Sequence, residues 1–127
     1  MSKVETYNPS ALGPAIMPYS NASVANGFIF VAGQVSLDPE ANVVAPNDSY
    51  EQTKYIIDRI KVILAEKGAT LDDIAQTTVY ITDLKYLPEY NRAWAEIFPN
   101  HKPARATLVC GLLIEGLVVE VTAIAAL

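Results

Sequence analysis

The chain has a single cysteine, Cys110, and a single histidine, His101, among its 127 residues. No intrachain disulfide can form. Neither a Cys-x-x-Cys pair nor a paired-His spacing exists, so no protein-built metal site is expected. Free-thiol usage of this kind fits a reducing compartment, and the expected location is cytoplasmic. The first ten residues, MSKVETYNPS, lack the apolar centre of a secretory signal. No run is long and apolar enough to span a bilayer, so no membrane partner is expected. Positive charge is also scarce. Nine Lys and Arg stand against 14 Asp and Glu, which leaves a net charge of −5 and a pI near 4.7. The chain therefore offers no broad basic footprint for nucleic acid. Lys54, Arg59, Lys61 and Lys67 fall in one helix-like segment and read as the charges of a solvated face. No repeat, low-complexity stretch or linker interrupts residues 1–127, which read as one domain.

What is abundant is apolar surface, 51% of residues against 18% charged. Pro9, Pro14 and Pro18 keep residues 1–22 extended. Asn26-Gly27 signals a turn between Ser23-Val24-Ala25 and the central strand Phe28–Val35. Gly33 inside that strand marks either a bulge or a close approach of another group to the backbone. Asp38-Pro39 turns the chain, and Ala41–Pro46 is a loop or short edge strand. Asp48 and Ser49 cap a helix that runs to Lys67 and stops at Gly68. Its apolar stripe is Tyr50, Thr53, Ile56, Ile57, Ile60, Ile63 and Leu64. Thr70 to Asp73 form a capped turn. Ala75–Thr82 alternates as a strand. Leu87–Phe98 is a second helix, with Pro88 at its start and an inner stripe of Tyr90, Ala93, Trp94 and Ile97.

The last fifth of the chain, PARATLVCGLLIEGLVVEVTAIA, holds the unusual chemistry. It reads as two strands, Ala104–Gly111 and Leu117–Ala125, the first of them buried. Arg105 opens it, and Glu120 sits deep in an apolar run. By alternation Arg105 shares a face with Thr107 and Val109, and Glu120 with Val118, Thr122 and Ile124. A carboxylate there pairs, neutralises or faces water. One reading is a structural Arg105–Glu120 ion pair inside the sheet, or Glu120 on a solvated face. The other is a cleft that holds one fixed cation and one carboxylate of raised pKa, suited to proton transfer. Tyr19 either packs under the N-terminal arm or lines a cleft. Asn91 faces a cleft rim or solvent. Cys110 points away from Arg105 and reads as a buried small hydrophobe.

Two amphipathic helices can cover only one face of one mixed sheet, yet the strands are apolar on both. An uncovered apolar face marks an oligomer interface, so a closed homo-oligomer is expected.

The ordered set Pro18-Tyr19-Ser20, Gly33-Gln34 with Asp38-Pro39, Glu51-Gln52-Thr53, Thr77-Thr78-Val79-Tyr80, Asp83-Leu84, Asn91, Pro103-Ala104-Arg105 and Val119-Glu120-Val121 with Ala123-Ile124-Ala125 resembles the Rid family. These are the reactive intermediate deaminases of the YjgF group, and the resemblance covers nearly the whole chain. It implies a chorismate-mutase-like α+β fold, β-β-α-β-α-β-β, with two helices on one face of a mixed sheet. It further implies a homotrimer with clefts between subunits. The implied activity is hydrolysis of imine and enamine carboxylates to 2-oxo acids and ammonia, with no metal or organic cofactor. By the same resemblance Arg105 anchors the substrate carboxylate, a task its planar fork suits. Glu120 holds a water and moves protons. Tyr19, Gly33, Asn91 and Thr107 occupy substrate-binding positions. Thr107 stands where many members have Cys, which excludes a thiol-dependent mechanism there. Met17 before Pro18, Ala32 before Gly33 and the apolar loop Leu112–Gly116 are further departures, and they bear on substrate more than on reaction. Two alternatives stay open: a 2-aminomuconate-type deaminase, and a non-catalytic module that binds small carboxylates. Chaperone or ribonuclease activity, associated with some relatives, finds little support in an acidic chain without a His pair.

Overall fold

The computed structural model describes residues 3–127. Asp48 starts the principal helix, α1 (Ser49–Ala65), by accepting a hydrogen bond from the Glu51 N–H at 3.0 Å. Along α1, Ile56, Ile57, Ile60, Ile63 and Leu64 are fully buried. Each removes roughly 1.5–3 kcal/mol worth of apolar surface from water. The second helix, α2 (Leu87–Ile97), buries Tyr90, Ala93 and Trp94 beside it. Among the described residues six strands complete the fold: β1 (Glu5–Tyr7), β2 (Ala22–Ala25), β3 (Phe28–Val35), β4 (Ile74–Ile81), β5 (Ala104–Val109) and β6 (Val119–Ala126). They form one sheet of order β1-β2-β3-β6-β4-β5. Only β4 and β5 run parallel, joined through α2.

Both helices lie on one face of this mixed sheet, as expected. Ile29, Val31, Val79, Ile81, Val119 and Val121 point into the core between sheet and helices. The opposite face has no helix. Phe28 and Phe30 stand there 42% and 40% exposed, with Thr78, Tyr80, Glu120, Thr122 and Ile124 half-buried among one another.

Several expectations are corrected. The N-terminal arm contributes a strand, β1, paired antiparallel to β2, so the order is β-β-β-α-β-α-β-β. The first C-terminal strand is not buried: β5 is exposed at all six residues. It lies at the sheet edge and has a neighbour on one side only, which an apolar sequence does not reveal. Cys110, just after it, is exposed for the same reason. Tyr50 leaves the buried stripe. It is half-exposed, its hydroxyl on Glu96 and its ring under Arg92. Arg59 is no solvated charge, because its guanidinium turns inward to Gln34 and the Leu37 carbonyl. Among the described residues no helix is long and apolar enough to cross a membrane.

Candidate functional site

The register between β3 and β6 breaks once. Val31 faces Ala123 and Gln34 faces Val121, so Ala32 and Gly33 together stand opposite Thr122. This is a β-bulge, and it turns the backbone of β3 toward Glu120. A Cβ on Gly33 would lie 2.8 Å from Glu120 Cδ, inside any real contact distance. Both sequence readings of Gly33 therefore hold together: the strand bulges, and a carboxylate occupies the space a side chain would need.

The bulge is held from behind. The Ala32 N–H donates to the Asn21 carbonyl at 2.9 Å. The Gln34 amide donates to the Ala32 carbonyl at 3.1 Å and to Asn21 Oδ1 at 3.3 Å. Gln34 is only 1% exposed, and its own amide oxygen accepts from Arg59 Nε at 3.0 Å. Arg59 Nη1 donates to the Leu37 carbonyl at 2.9 Å. A buried amide without these partners would cost about 1–3 kcal/mol. Burial lowers the pKa of the Arg59 guanidinium from its usual range. Sequence reasoning missed Arg59. A signal existed: Arg59 lies three residues after Ile56 and four before Ile63, on the buried stripe itself.

Glu120 opens into a cavity of 230 Å³ whose walls include Tyr19, Gly33, Ile16, Leu113 and Leu117. Tyr19 thus lines a cavity rather than packing under the arm. The Glu120 carboxylate has no hydrogen-bond or ion-pair partner among the described residues. Burial without a partner pushes its pKa above the ordinary carboxylate value. Such a group takes and gives protons nearer neutral pH than an exposed glutamate does.

Arg105 lies elsewhere. Its guanidinium sits 4.9 Å from the Tyr90 ring centre and 5.4 Å from that of Trp94. The two rings meet edge to face at 5.7 Å. The Tyr90 hydroxyl pairs with Thr107 Oγ1 at 2.9 Å, so the Thr107 hydroxyl braces the aromatic platform under Arg105. Burial raises the Tyr90 phenol pKa, and the nearby Arg105 charge partly opposes that rise. Asn91, Lys102 and Arg105 line an open cleft of 440 Å³. Arg105 has no carboxylate partner among the described residues.

The two charges do not meet within one chain. Arg105 is registered on Thr77 of β4, and Glu120 on Tyr80. Three steps along a strand reverse the side, so the side chains leave opposite faces of the sheet. The intrachain ion pair is thereby excluded. The structure groups these residues in two places instead: Tyr19, Gly33 and Glu120 around one cavity, with Glu120 on the helix-free face, and Asn91 and Arg105, braced by Thr107, around a cleft on the other. Among the described residues no three His, Cys, Asp or Glu side chains cluster as metal ligands. The ring of His101 is engaged with the Ile74 carbonyl at 2.8 Å.

Residues 10–127 match the family model described as Endoribonuclease L-PSP. A RutC family protein of Pyrococcus abyssi is 41% identical over 125 residues, covering 98% of each chain. The structure of YyfA of Yersinia pestis, described as a protein of the conserved Rid family, superposes with a TM-score of 0.89 at 31% identity. That match covers 98% of this chain and 99% of the other. The YjgF gene product of E. coli gives 0.85 at 28% identity, over 96% and 98%.

Proposed function

The chain belongs to the Endoribonuclease L-PSP family, in its Rid/YjgF group, and from that premise we propose that it is a hydrolytic deaminase of imine and enamine carboxylates. The observation that carries this reading is the unpartnered, half-buried Glu120 carboxylate over the Gly33 backbone, its pKa raised by burial. A water held by ionised Glu120 adds its oxygen to the imine carbon, and the carboxylate takes the proton. The proton passes to nitrogen in the resulting carbinolamine. Glu120 then relays the carbinolamine hydroxyl proton to nitrogen as the C–N bond breaks, so ammonia leaves, the 2-oxo acid remains and one water is consumed per ammonia released. An enamine first gains a proton at carbon to become the imine. Arg105 binds the substrate carboxylate through a guanidinium that no protein acid occupies.

The two halves join across a subunit boundary. Arg105 stands on the exposed edge strand β5, and it reaches Glu120 of the next copy where that edge packs beside the next copy's helix-free sheet face, an arrangement that also covers Phe28 and Phe30. Three copies close such an assembly, so sedimentation should give three times the 13.8 kDa chain. A clean monomer at micromolar concentration with full activity would overturn the shared site.

The test generates an imine in situ with an amino-acid oxidase and follows ammonia and 2-oxo acid. Accelerated release, lost in Arg105→Ala with the oligomer intact, supports the proposal. Saturable carboxylate binding without turnover would instead favour a binding module. RNA cleavage lost in Glu120→Ala would favour the activity in the family's name.

A further inference from the structure

The walls of the two half-sites differ in the sign of the charge they carry. The Arg105 cleft presents two cations, Lys102 and Arg105, with the Asn91 amide, beside apolar Trp94, Ala95, Phe98 and Pro103. The Glu120 cavity presents Ile16, Met17, Val35, Leu113, Ile114 and Leu117, and among the described residues its only polar side chains are Glu120 and Tyr19. Among the described residues of the chain no Lys or Arg lines it. Ile16 and Met17 stand 44% and 46% exposed at its mouth, and Leu113 stands 83% exposed, while Leu117 is buried at its floor. We infer that the substrate carries a single carboxylate at its head and a bulky apolar tail, branched aliphatic or benzyl, and that the tail occupies the Glu120 cavity. This rests on the deaminase reading above.

The physical case has three parts. The cavity of 230 Å³ far exceeds the roughly 10–15 Å³ that one water requires, so a methyl tail would leave it mostly unfilled. Exposed apolar side chains around one opening gain by covering an apolar tail, and each further methylene adds to the gain. A polar tail would surrender its water to walls with almost no donors. An acidic tail fares worse, because the one charge this chain places in the cavity is the Glu120 carboxylate, and the Arg105 that faces it from the next copy is taken by the carboxylate at the substrate's head. The same walls disfavour a dicarboxylate such as 2-aminomuconate.

The experiment compares imines generated in situ from alanine, leucine, phenylalanine and glutamate. Leucine- and phenylalanine-derived imines should exceed the alanine-derived one in kcat/KM by at least about tenfold, and the glutamate-derived imine should fall below it. Ile16→Arg places a cation at the exposed mouth. It should raise the glutamate-to-leucine ratio by about tenfold or more. Equal kcat/KM across the tails, or a ratio that Ile16→Arg leaves unmoved, overturns the inference while leaving the deaminase reading intact. Binding of the stable products, 4-methyl-2-oxopentanoate, pyruvate and 2-oxoglutarate, is measured in parallel by NMR titration. If no imine is hydrolysed but the branched product still binds tightest, the deaminase reading fails and the tail assignment stands. If the three products bind alike, the tail assignment falls.

Discussion

Glu120 and Arg105 sit on opposite faces of the same sheet, and their surroundings have little in common. Glu120 is half-buried, backed by a bulge that Gln34 and Arg59 tie by hydrogen bonds, and surrounded by mostly apolar walls. Arg105 lies on an exposed edge strand and rests on two aromatic rings. The first environment perturbs a proton affinity. The second holds a permanent charge in place and leaves its donors free. Under the proposed function the difference is a division of labour, in which chemistry goes with desolvation and recognition goes with access.

That contrast can be broken most sharply at Glu120. Glu120→Gln keeps shape and volume but removes the proton carrier. Imine hydrolysis should fall by roughly 10²–10⁴-fold with KM little changed. Arg105→Ala should act differently. It should raise KM and lower kcat/KM by roughly 10–10³-fold, the loss of one charged, bidentate contact, with partial recovery in Arg105→Lys. If both variants alter kcat alone, the division between the two half-sites is wrong.

A subtler break lies behind the bulge. Arg59→Met strips the Gln34 amide oxygen of its donor, and the orphaned group should cost about 1–3 kcal/mol in chemical denaturation. Because the bulge sets the height of Gly33 under Glu120, the alkaline-rising limb of the activity profile should also move toward lower pH as water reaches the carboxylate. Arg59→Lys should restore part of both. A change in stability with an unmoved pH profile would leave Arg59 purely structural.

The smallest expected effect has the opposite sign. The folded-state pKa of Glu120 lies above its unfolded value, so the native state binds more protons between the two. Its contribution to stability is greatest below the unfolded pKa and is lost as pH rises through the folded one. Glu120→Gln is free of this penalty. It should melt slightly higher than the parent protein at pH 7, and the gap should close on acidification below the ordinary glutamate range. An unchanged melting temperature at both pH values would mean that water reaches the carboxylate freely.

Much of the fold was legible because burial imposes periodicity. The α1 stripe from Thr53 to Leu64 and the alternation of Thr77, Val79 and Ile81 each emerged from spacing, and both are buried as read. Asp48 and Thr70 were legible as caps because capping is a local hydrogen bond. Where sequence reading failed, the deciding quantity was not local. Apolar β5 and Cys110 read as buried, yet strand order puts them at an edge. Arg59 read as solvated because charge outweighed its place on the stripe.

The sequence alone determined which residues could carry chemistry: one acid in an apolar strand, one arginine before another, and a glycine where a side chain was dispensable. Only the tertiary structure decided that the acid and the arginine leave opposite sides of the sheet. Facing is a matter of parity along the paired strand between them, and that parity depends on register, which no stretch of sequence contains by itself.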